Sequence, residues 1–358
     1  MLATITWVAD RGIELGPLFI RYYQVFFFLG FFMGYQWMKK VFIKEGIDLK
    51  ILDALLSTMV VATVLGARFG HVFFYDWGYY REHVVEIFMP WKGGLASHGA
   101  AIAIVLAMLW FGRTYLKPIG KTPLWMLDRV VITVALAGAF IRLGNFTNSE
   151  IYGQPQNSAV ETVFVRPITD YIERYFERDV AAVDYVATGN YLETDSLRLP
   201  EYELRFTPTE TASLDQVQSM VELYLEPLVN RQNADNRHLY LPQDQLVQEK
   251  DGYFVLTAYG IPRAPSQLYE ALAYALIYVL LLWLFARGAA AREGQIFGAF
   301  LVLVFGFRFV VEFVKANQKD FESGMDWNMG QWLSIPLVLA GLVLIVRSLN
   351  TKNPATPK

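Results

Sequence analysis

Residues 126–150 read MLDRVVITVALAGAFIRLGNFTNSE, and this stretch decides the architecture. Apart from Asp128 and Arg129 near its start and Arg142 and Asn145 near its end, the 126–146 segment is mostly apolar and long enough, as a helix, to cross a bilayer, which takes about 20 residues. The end of the same helix then gathers Arg142, Asn145, Asn148 and Glu150. Ionisable groups at membrane depth are costly, so each is a functional candidate by default. A cation, two amides and a carboxylate at one apolar helix end point to a polar cleft. A helix cap with a solvated turn is the structural alternative. Gly144 permits close backbone approach there.

Working outward, six other segments approach the same length: 17–38, 52–75, 97–114, 267–286, 295–314 and 331–347. The composition agrees, with 54% hydrophobic and 18% charged residues, where soluble domains average about 45–50% apolar and about 25% charged. Disorder, coiled coil and collagen are excluded. An all-α polytopic membrane protein with seven transmembrane helices is expected. The short loops after the first, third, fifth and seventh spans carry 12 Lys/Arg, and the opposite ones carry 5. The basic side is therefore expected to be cytoplasmic, with the N-terminus outside and the C-terminus cytoplasmic.

The net charge of −3 hides two opposite parts. Residues 154–262 hold 8 Lys/Arg and 18 Asp/Glu, a net of −10; the remainder holds 23 and 16, a net of +7. The acidic block reads as a small α+β extracytoplasmic head inserted between helices 4 and 5. Within it Tyr202–Thr207 and Gly252–Ala258 read as strands, and Leu214–Val229 has helical spacing. The expected organisation is thus 1–153 for helices 1–4, 154–262 for the head, and 263–358 for helices 5–7 and a cytoplasmic tail. No cleavable leader is expected, because Met1–Leu15 carries Asp10, Arg11 and Glu14 without a long apolar run. The chain has no cysteine, which excludes a Cys nucleophile, a disulfide and a thiolate metal site. No metal, cofactor or nucleic-acid partner is expected.

Other polar residues at membrane depth are Arg21, Arg68, His71, His98, Glu270, Arg308 and Glu312. Arg308 and Glu312 share a helix face at i, i+4, as a structural ion pair or as a phosphate site, since a guanidinium suits bidentate phosphate binding. His98 follows Gly93 and Gly94 and precedes Gly99, at the entry to a span. It is a candidate proton carrier, whereas His71 reads as a core residue. Tyr22 and Tyr23 read equally as interfacial belt anchors.

Together these residues resemble the prolipoprotein diacylglyceryl transferase family. Tyr23 is similar to its first-span tyrosine, and Gly66-Ala-Arg68-Phe-Gly70 to its second-span Gly-Gly-Arg-Ile-Gly. Gly93-Gly94 and Ser97-His98-Gly99 resemble its Gly-Gly-x-x-x-His-Gly-Gly loop. Arg142-Leu-Gly-Asn145-Phe-x-Asn148-x-Glu150-x-x-Gly153 is close to its signature. Arg263-x-Pro265-Ser-Gln267-Leu-Tyr-Glu270, Arg308-x-x-x-Glu312-Phe and Met329-Gly-Gln331-x-Leu-Ser-Ile-Pro336 match the last spans. Departures are Arg21 for His, Ile141 and Ser149 for Gly, Thr147 for an apolar residue, Ala100 for Gly, Ala264 for His and Val304 for Tyr. The 154–262 block lies outside the resemblance.

The resemblance implies transfer of the diacylglyceryl group of phosphatidylglycerol to the thiol of a lipobox cysteine on a prolipoprotein, in the bacterial inner membrane, with release of glycerol phosphate. His98 is then the candidate base, with an arginine-lowered thiol pKa as the competing route. Arg142 and Arg308 would stabilise the leaving phosphate, with Asn145 and Asn148 as donors. Glu150 and Glu312 would orient the arginines, and Tyr23 and Gly153 would contact the lipid. Arg68, Gly99, Gln267 and Glu270 would support the site. A transporter for an anionic solute and a structural membrane scaffold are the alternatives from other classes.

Overall fold

The computed structural model of the chain describes residues 3–16, 18–89, 93–94, 96–231, 237–243, 245–316, 322 and 324–350. Its helices are α1 (Tyr22–Lys44), α2 (Leu49–Phe74), α3 (Trp77–Tyr80), α4 (Ser97–Phe111), α5 (Pro123–Thr147), α6 (Arg166–Tyr175), α7 (Leu214–Met220), α8 (Glu226–Arg231), α9 (Ser266–Ala286), α10 (Gln295–Val311) and α11 (Met329–Asn350). Its strands are β1 (Ala3–Trp7), β2 (Gly12–Leu15), β3 (Leu18–Arg21), β4 (Val160–Phe164), β5 (Val180–Glu193), β6 (Arg198–Pro208), β7 (Leu239–Tyr240), β8 (Gln248–Lys250) and β9 (Tyr253–Gly260).

Five helical stretches have both the length and the apolar composition of a membrane span: α2, α5, α9, α11, and α4 continued to Ile119. At most 44% of the most apolar window of any of them is buried. Phe73, Val105, Leu272 and Val343 are each more than half exposed. Helices that are apolar all round and uncovered by protein need lipid as their solvent. The chain is a polytopic membrane protein. Two segments differ in detail from expectation. Residues 18–21 form β3, so the first helix starts at Tyr22 and runs on to Lys44. The sixth helix stops at Val311 after 17 residues.

The residues group into two units: Met1–Leu29, Gly138–Leu276 and Val304–Val338 in one, and Gly30–Ala137, Ile277–Leu303 and Leu339–Lys358 in the other. The first contains an antiparallel sheet ordered β5-β6-β9-β7, with β8 also on β9. Along β6, Tyr202, Leu204 and Phe206 are buried on one face, the period of 2 that a half-buried strand requires. The intervening Glu203 and Arg205 pair with each other, and Lys250 joins them. Ile168 and Ile172 of α6 and Val217 and Met220 of α7 close the core over the sheet. Each such side chain contributes about 1.5–3 kcal/mol by leaving water. Ser213 and Gln216 start α7 with a reciprocal capping box. Strands β1 and β4 pair in parallel, from Ala3 with Val160 to Trp7 with Phe164, and β2 and β3 form a hairpin. The sequence reading assigned no strands to these N-terminal residues.

In the second unit, glycines set the helix spacing. A Cβ on Gly99 of α4 would lie 2.5 Å from Gly70 Cα on α2, and one on Gly66 would lie 2.7 Å from Gly99 O. Only glycines allow this backbone approach, the small-xxx-small pattern of membrane helix pairs. Gly298 of α10 and Gly341 of α11 repeat it. The buried Asp128 carboxylate accepts from Gly294 N and Phe297 N, both at 2.7 Å, and so caps the start of α10. Arg129 places both Nε and Nη2 on Glu45 while lying over the Trp125 ring.

Candidate active site

The site grows from the end of α5 in the first unit. The helix stops at Thr147, and Ser149 and Ile151 both take left-handed backbone, with φ of 55° and 58°. For a β-branched isoleucine this is a costly conformation of the kind found at functional sites. At Ser149 it falls where the family pattern has Gly. The turn folds the Glu150 carboxylate back over the helix. Its Oε1 accepts from Asn145 Nδ2 at 2.9 Å and Asn148 Nδ2 at 3.3 Å. Glu150 therefore holds the two amides.

Arg142 itself is paired from α9. Its Nη2 lies 3.2 Å from Oε1 of Glu270, which is fully buried, and its Nη1 donates to Asn145 Oδ1 at 3.3 Å. Tyr274, one turn after Glu270, donates its hydroxyl to the same carboxylate oxygen at 3.5 Å. The buried Gln267 on this helix donates to the Glu150 backbone carbonyl at 2.8 Å. Three oxygens in this cluster are buried without a hydrogen-bond partner: Glu270 Oε2, Gln267 Oε1 and Asn148 Oδ1. Such atoms carry a desolvation cost unless a ligand or water meets them.

The second arginine sits differently. Arg308 Nη2 lies 3.6 Å from Glu312 Oε1, and the Arg308 side chain is 35% exposed. That carboxylate has two closer partners: Lys315 Nζ at 3.1 Å and Asn328 Nδ2 at 3.0 Å. Asn328 and Gln331 exchange backbone–side-chain bonds of 3.0 Å across the first turn of α11, a capping box. Gly330 leaves room for the carboxylate, since a Cβ there would stand 2.7 Å from Glu312 Cδ. Lys315 is close enough to Glu270, Glu312, Arg142 and Arg308 for all four to act on its charge, while burial pushes its pKa down. Both arginines thus face one charged constellation.

Backbone bonds lock these segments together. Gly153 N donates to Ala264 O, Gln154 N to Val314 O and Ala316 N to Tyr152 O. A Cβ on Gly153 would meet Ala264 O at 2.6 Å and Val314 O at 3.0 Å, so Gly153 lies at a three-way strap. The buried Arg263 donates to Gly153 O at 3.1 Å and to Arg237 O, over the Tyr152 ring. Tyr152 also contacts His238 Nε2 at 3.2 Å. Burial first, and then the Arg263 cation, push the His238 pKa down to about 3.

Tyr23 opens α1 against Gly144, where a Cβ would come within 2.7 Å of its ring. It lies within electrostatic reach of Glu150 and Arg142. The remaining expected residues belong to the second unit. Arg68 is 2% exposed. It donates to the carbonyls of Ile87 at 3.0 Å, Gly93 at 2.5 Å, Gly94 at 3.3 Å and Glu86, and its guanidinium covers Tyr80. It anchors a loop through backbone oxygens. Gly99 is the contact glycine of α2 and α4. His98 is exposed, its ring against Phe74 and Tyr75, and it makes no hydrogen bond among the described residues. His71 pairs with Asp76 at 2.8 Å.

The sequence reading missed Lys315, Tyr274, Asn328 and the strap role of Arg263. The spacing held signals for two of them: Lys315 lies three residues after Glu312, and Tyr274 four after Glu270, both on a shared helical face. Among the described residues no group of three or more His, Cys, Asp or Glu could hold a metal.

A family model described as prolipoprotein diacylglyceryl transferase matches residues 11–347. A phosphatidylglycerol–prolipoprotein diacylglyceryl transferase of Tolumonas auensis is 33% identical over 97% of this chain and 98% of its own. Proteins of that name from Porphyromonas gingivalis, 33% identical over 99% and 98%, and Bacteroides fragilis, 28% identical over 96% and 94%, are similar across the same extent. With the signature residues converging on one charged cluster and the match running almost end to end, the chain belongs to the prolipoprotein diacylglyceryl transferase family.

Proposed function

We propose that this chain transfers the diacylglyceryl group of phosphatidylglycerol to the lipobox cysteine of prolipoproteins, the first step of lipoprotein maturation, at the Arg142–Arg308 cluster. The observation that carries the site assignment is the asymmetry of the two arginines. Arg142 is held by a fully buried carboxylate at 3.2 Å, and Arg308 keeps a loose 3.6 Å pair and a partly exposed side chain. One arginine is fixed and the other has donors to spare for a phosphate.

The substrate thiolate attacks the glycerol carbon that bears the phosphate ester. A C–S bond forms, the C–O bond breaks, and the electron pair leaves on glycerol phosphate. Arg308 meets the charge that develops on the leaving oxygen, and Arg142 orients the phosphate. Asn145 and Asn148 line the phosphate side, with Glu150 fixing both amides and Glu270 and Glu312 balancing the cations. Tyr23 borders the lipid entrance against Gly144. Gln267 fixes the turn at Glu150 and Gly153 straps the site, while Arg68 and Gly99 shape the loop and helix crossing that carry His98. His98 takes the thiol proton; its exposed ring supports that role. The competing route lowers the thiol pKa through an arginine.

The topology proposed is seven spans, with α1 and α10 added to the five long apolar helices. Residues 154–262 form an extracytoplasmic α+β head, the N-terminus is outside and the C-terminus cytoplasmic, in the inner membrane. The loop charge asymmetry and the sheet-bearing segment between α5 and α9 support this arrangement. Purified protein in vesicles, given phosphatidylglycerol labelled in its acyl chains and a lipobox peptide, tests the activity. Label on the peptide cysteine with stoichiometric glycerol phosphate is expected. Label remaining in the lipid refutes it.

A further inference from the structure

Glu312 has a surplus of partners, and their order by distance is informative. Its Oε1 is 3.1 Å from Lys315 Nζ and 3.6 Å from Arg308 Nη2, and its Oε2 accepts from Asn328 at 3.0 Å. The Lys315 side chain is 3% exposed and that of Glu312 is 8%. The buried pair is therefore Lys315 with Glu312, and Arg308 is the peripheral third member. A buried carboxylate without its closest cation would draw in the next one, because an uncompensated buried charge is strongly unfavourable. The next one is Arg308. Lys315 is itself fixed by the strap: its backbone bridges Gly153, and its neighbours Val314 and Ala316 bond Gln154 and Tyr152.

We infer that Lys315 is a positioning residue for the transfer reaction: by neutralising Glu312 it keeps the Arg308 guanidinium available to the phosphate of the lipid. This rests on the transferase reading above and adds a residue to it. Lys315 touches no substrate; it acts through Glu312 on Arg308. The bridge to Gly153 couples this balance to the segment that carries Arg142, so the two arginines are set by one piece of chain.

The test is charge rescue. Lys315→Met, Lys315→Arg, Glu312→Gln and the double variant Glu312→Gln/Lys315→Met are compared in vesicles for kcat/KM toward phosphatidylglycerol and for inhibition by glycerol phosphate. Lys315→Met is expected to lose about tenfold or more in both, and Lys315→Arg to stay within about threefold of the unmodified protein. The double variant, which has no carboxylate to capture Arg308, is expected to recover most of the loss. A merely structural pair is also relieved when both charges are removed, but its loss appears in the denaturation midpoint and leaves glycerol phosphate inhibition of the folded Lys315→Met variant unchanged. A double variant no better than Lys315→Met, or a Lys315→Met variant equal to the unmodified protein, overturns the inference. Should Lys315→Met fail to fold, the folded double variant decides against Glu312→Gln alone, and equal glycerol phosphate inhibition in the two supports the inference while a further loss overturns it. An unmodified protein that transfers no label defeats the transferase reading instead.

Discussion

Replacing Glu270 by Gln removes the charge that holds Arg142 and leaves the shape of the side chain. The pair is separated by 3.2 Å and the carboxylate is fully buried. At an effective dielectric of about 20 the Coulomb attraction at that distance is about 5 kcal/mol. Removing one member of a buried pair costs about 3–5 kcal/mol in practice. The amide oxygen still accepts from Arg142 or Tyr274, so the lower end applies, about 3 kcal/mol. The denaturation midpoint in mixed detergent and SDS reads this loss. A second reading separates site from scaffold. A ligand that binds only the folded state stabilises it by RT ln(1 + L/Kd), where L is the free ligand concentration, so a tighter site gains more at the same concentration. The variant has an uncompensated cation where the unmodified protein has a pair, so glycerol phosphate should stabilise the variant more. Stability within about 0.5 kcal/mol of the unmodified protein, or the same gain from glycerol phosphate in both, would refute the pairing argument.

Arg308→Ala is expected to lower transfer by at least about a hundredfold, the usual cost of one charge-stabilising donor, with little change in expression; a labelled-lipid assay checks it. Gly99→Ala forces a methyl group against Gly66 and Gly70 and should destabilise by about 1–3 kcal/mol, read as an earlier thermal midpoint; an unchanged midpoint would mean that α2 and α4 can separate. His98→Gln should cut the rate about a hundredfold and flatten its pH dependence if His98 is the base, and a rate near that of the unmodified protein assigns thiol activation to an arginine. His238 titrates near 6.5 when unfolded and at about 3 when folded. The unfolded chain therefore binds the proton first, and stability falls as pH drops from about 6.5 to about 3, by up to about 1.4 kcal/mol per pH unit; His238→Asn should flatten that slope in pH-dependent denaturation.

Much of the fold was legible because bilayer-length apolar runs leave few alternatives. The five long apolar helices overlap the segments read at 52–75, 97–114, 126–146, 267–286 and 331–347, with ends that differ by up to five residues. In the 154–262 block, the alternation at Tyr202–Thr207 marked part of β6, and the spacing at Leu214–Val229 marked α7, its following turn and α8. The N-terminal strands were not legible. β1 is short, and its partner β4 lies more than 150 residues away, so no local pattern encodes the pairing. Most of the charged cluster was legible, apart from Lys315, and its pairing was not. Arg142 and Glu150 are neighbours in sequence, yet the partner of Arg142 is Glu270. Two left-handed residues turn Glu150 toward the amides, and a conformation at Ser149 and Ile151 is invisible to periodicity. Arg68 stands out in the sequence as a charge at membrane depth, which is costly, and, through the resemblance, as a supporting residue, but its backbone acceptors are not readable there. Four backbone carbonyls meet that cost without any substrate.

Under the proposed function, the pairing gives a site at membrane depth a means to discriminate the transition state from the bound lipid. Arg142, Arg308 and Lys315 face Glu150, Glu270 and Glu312, three cations against three carboxylates, so the resting cluster is close to neutral and tolerable in a medium where isolated charge is costly. A phosphodiester brings one negative charge. As the C–O bond breaks, the leaving monoester gains a second. Donors already committed to carboxylates respond weakly to that increment, and only a group with unspent hydrogen-bonding capacity responds strongly. Arg308, with its 3.6 Å contact and partly exposed side chain, is such a group. Interactions that strengthen as charge develops accelerate the reaction, whereas those made equally with the ground state only tighten binding. On this argument Arg142 contributes mainly to KM and Arg308 mainly to kcat. Opposite partitioning in the conservative variants Arg142→Lys and Arg308→Lys would reverse the two roles.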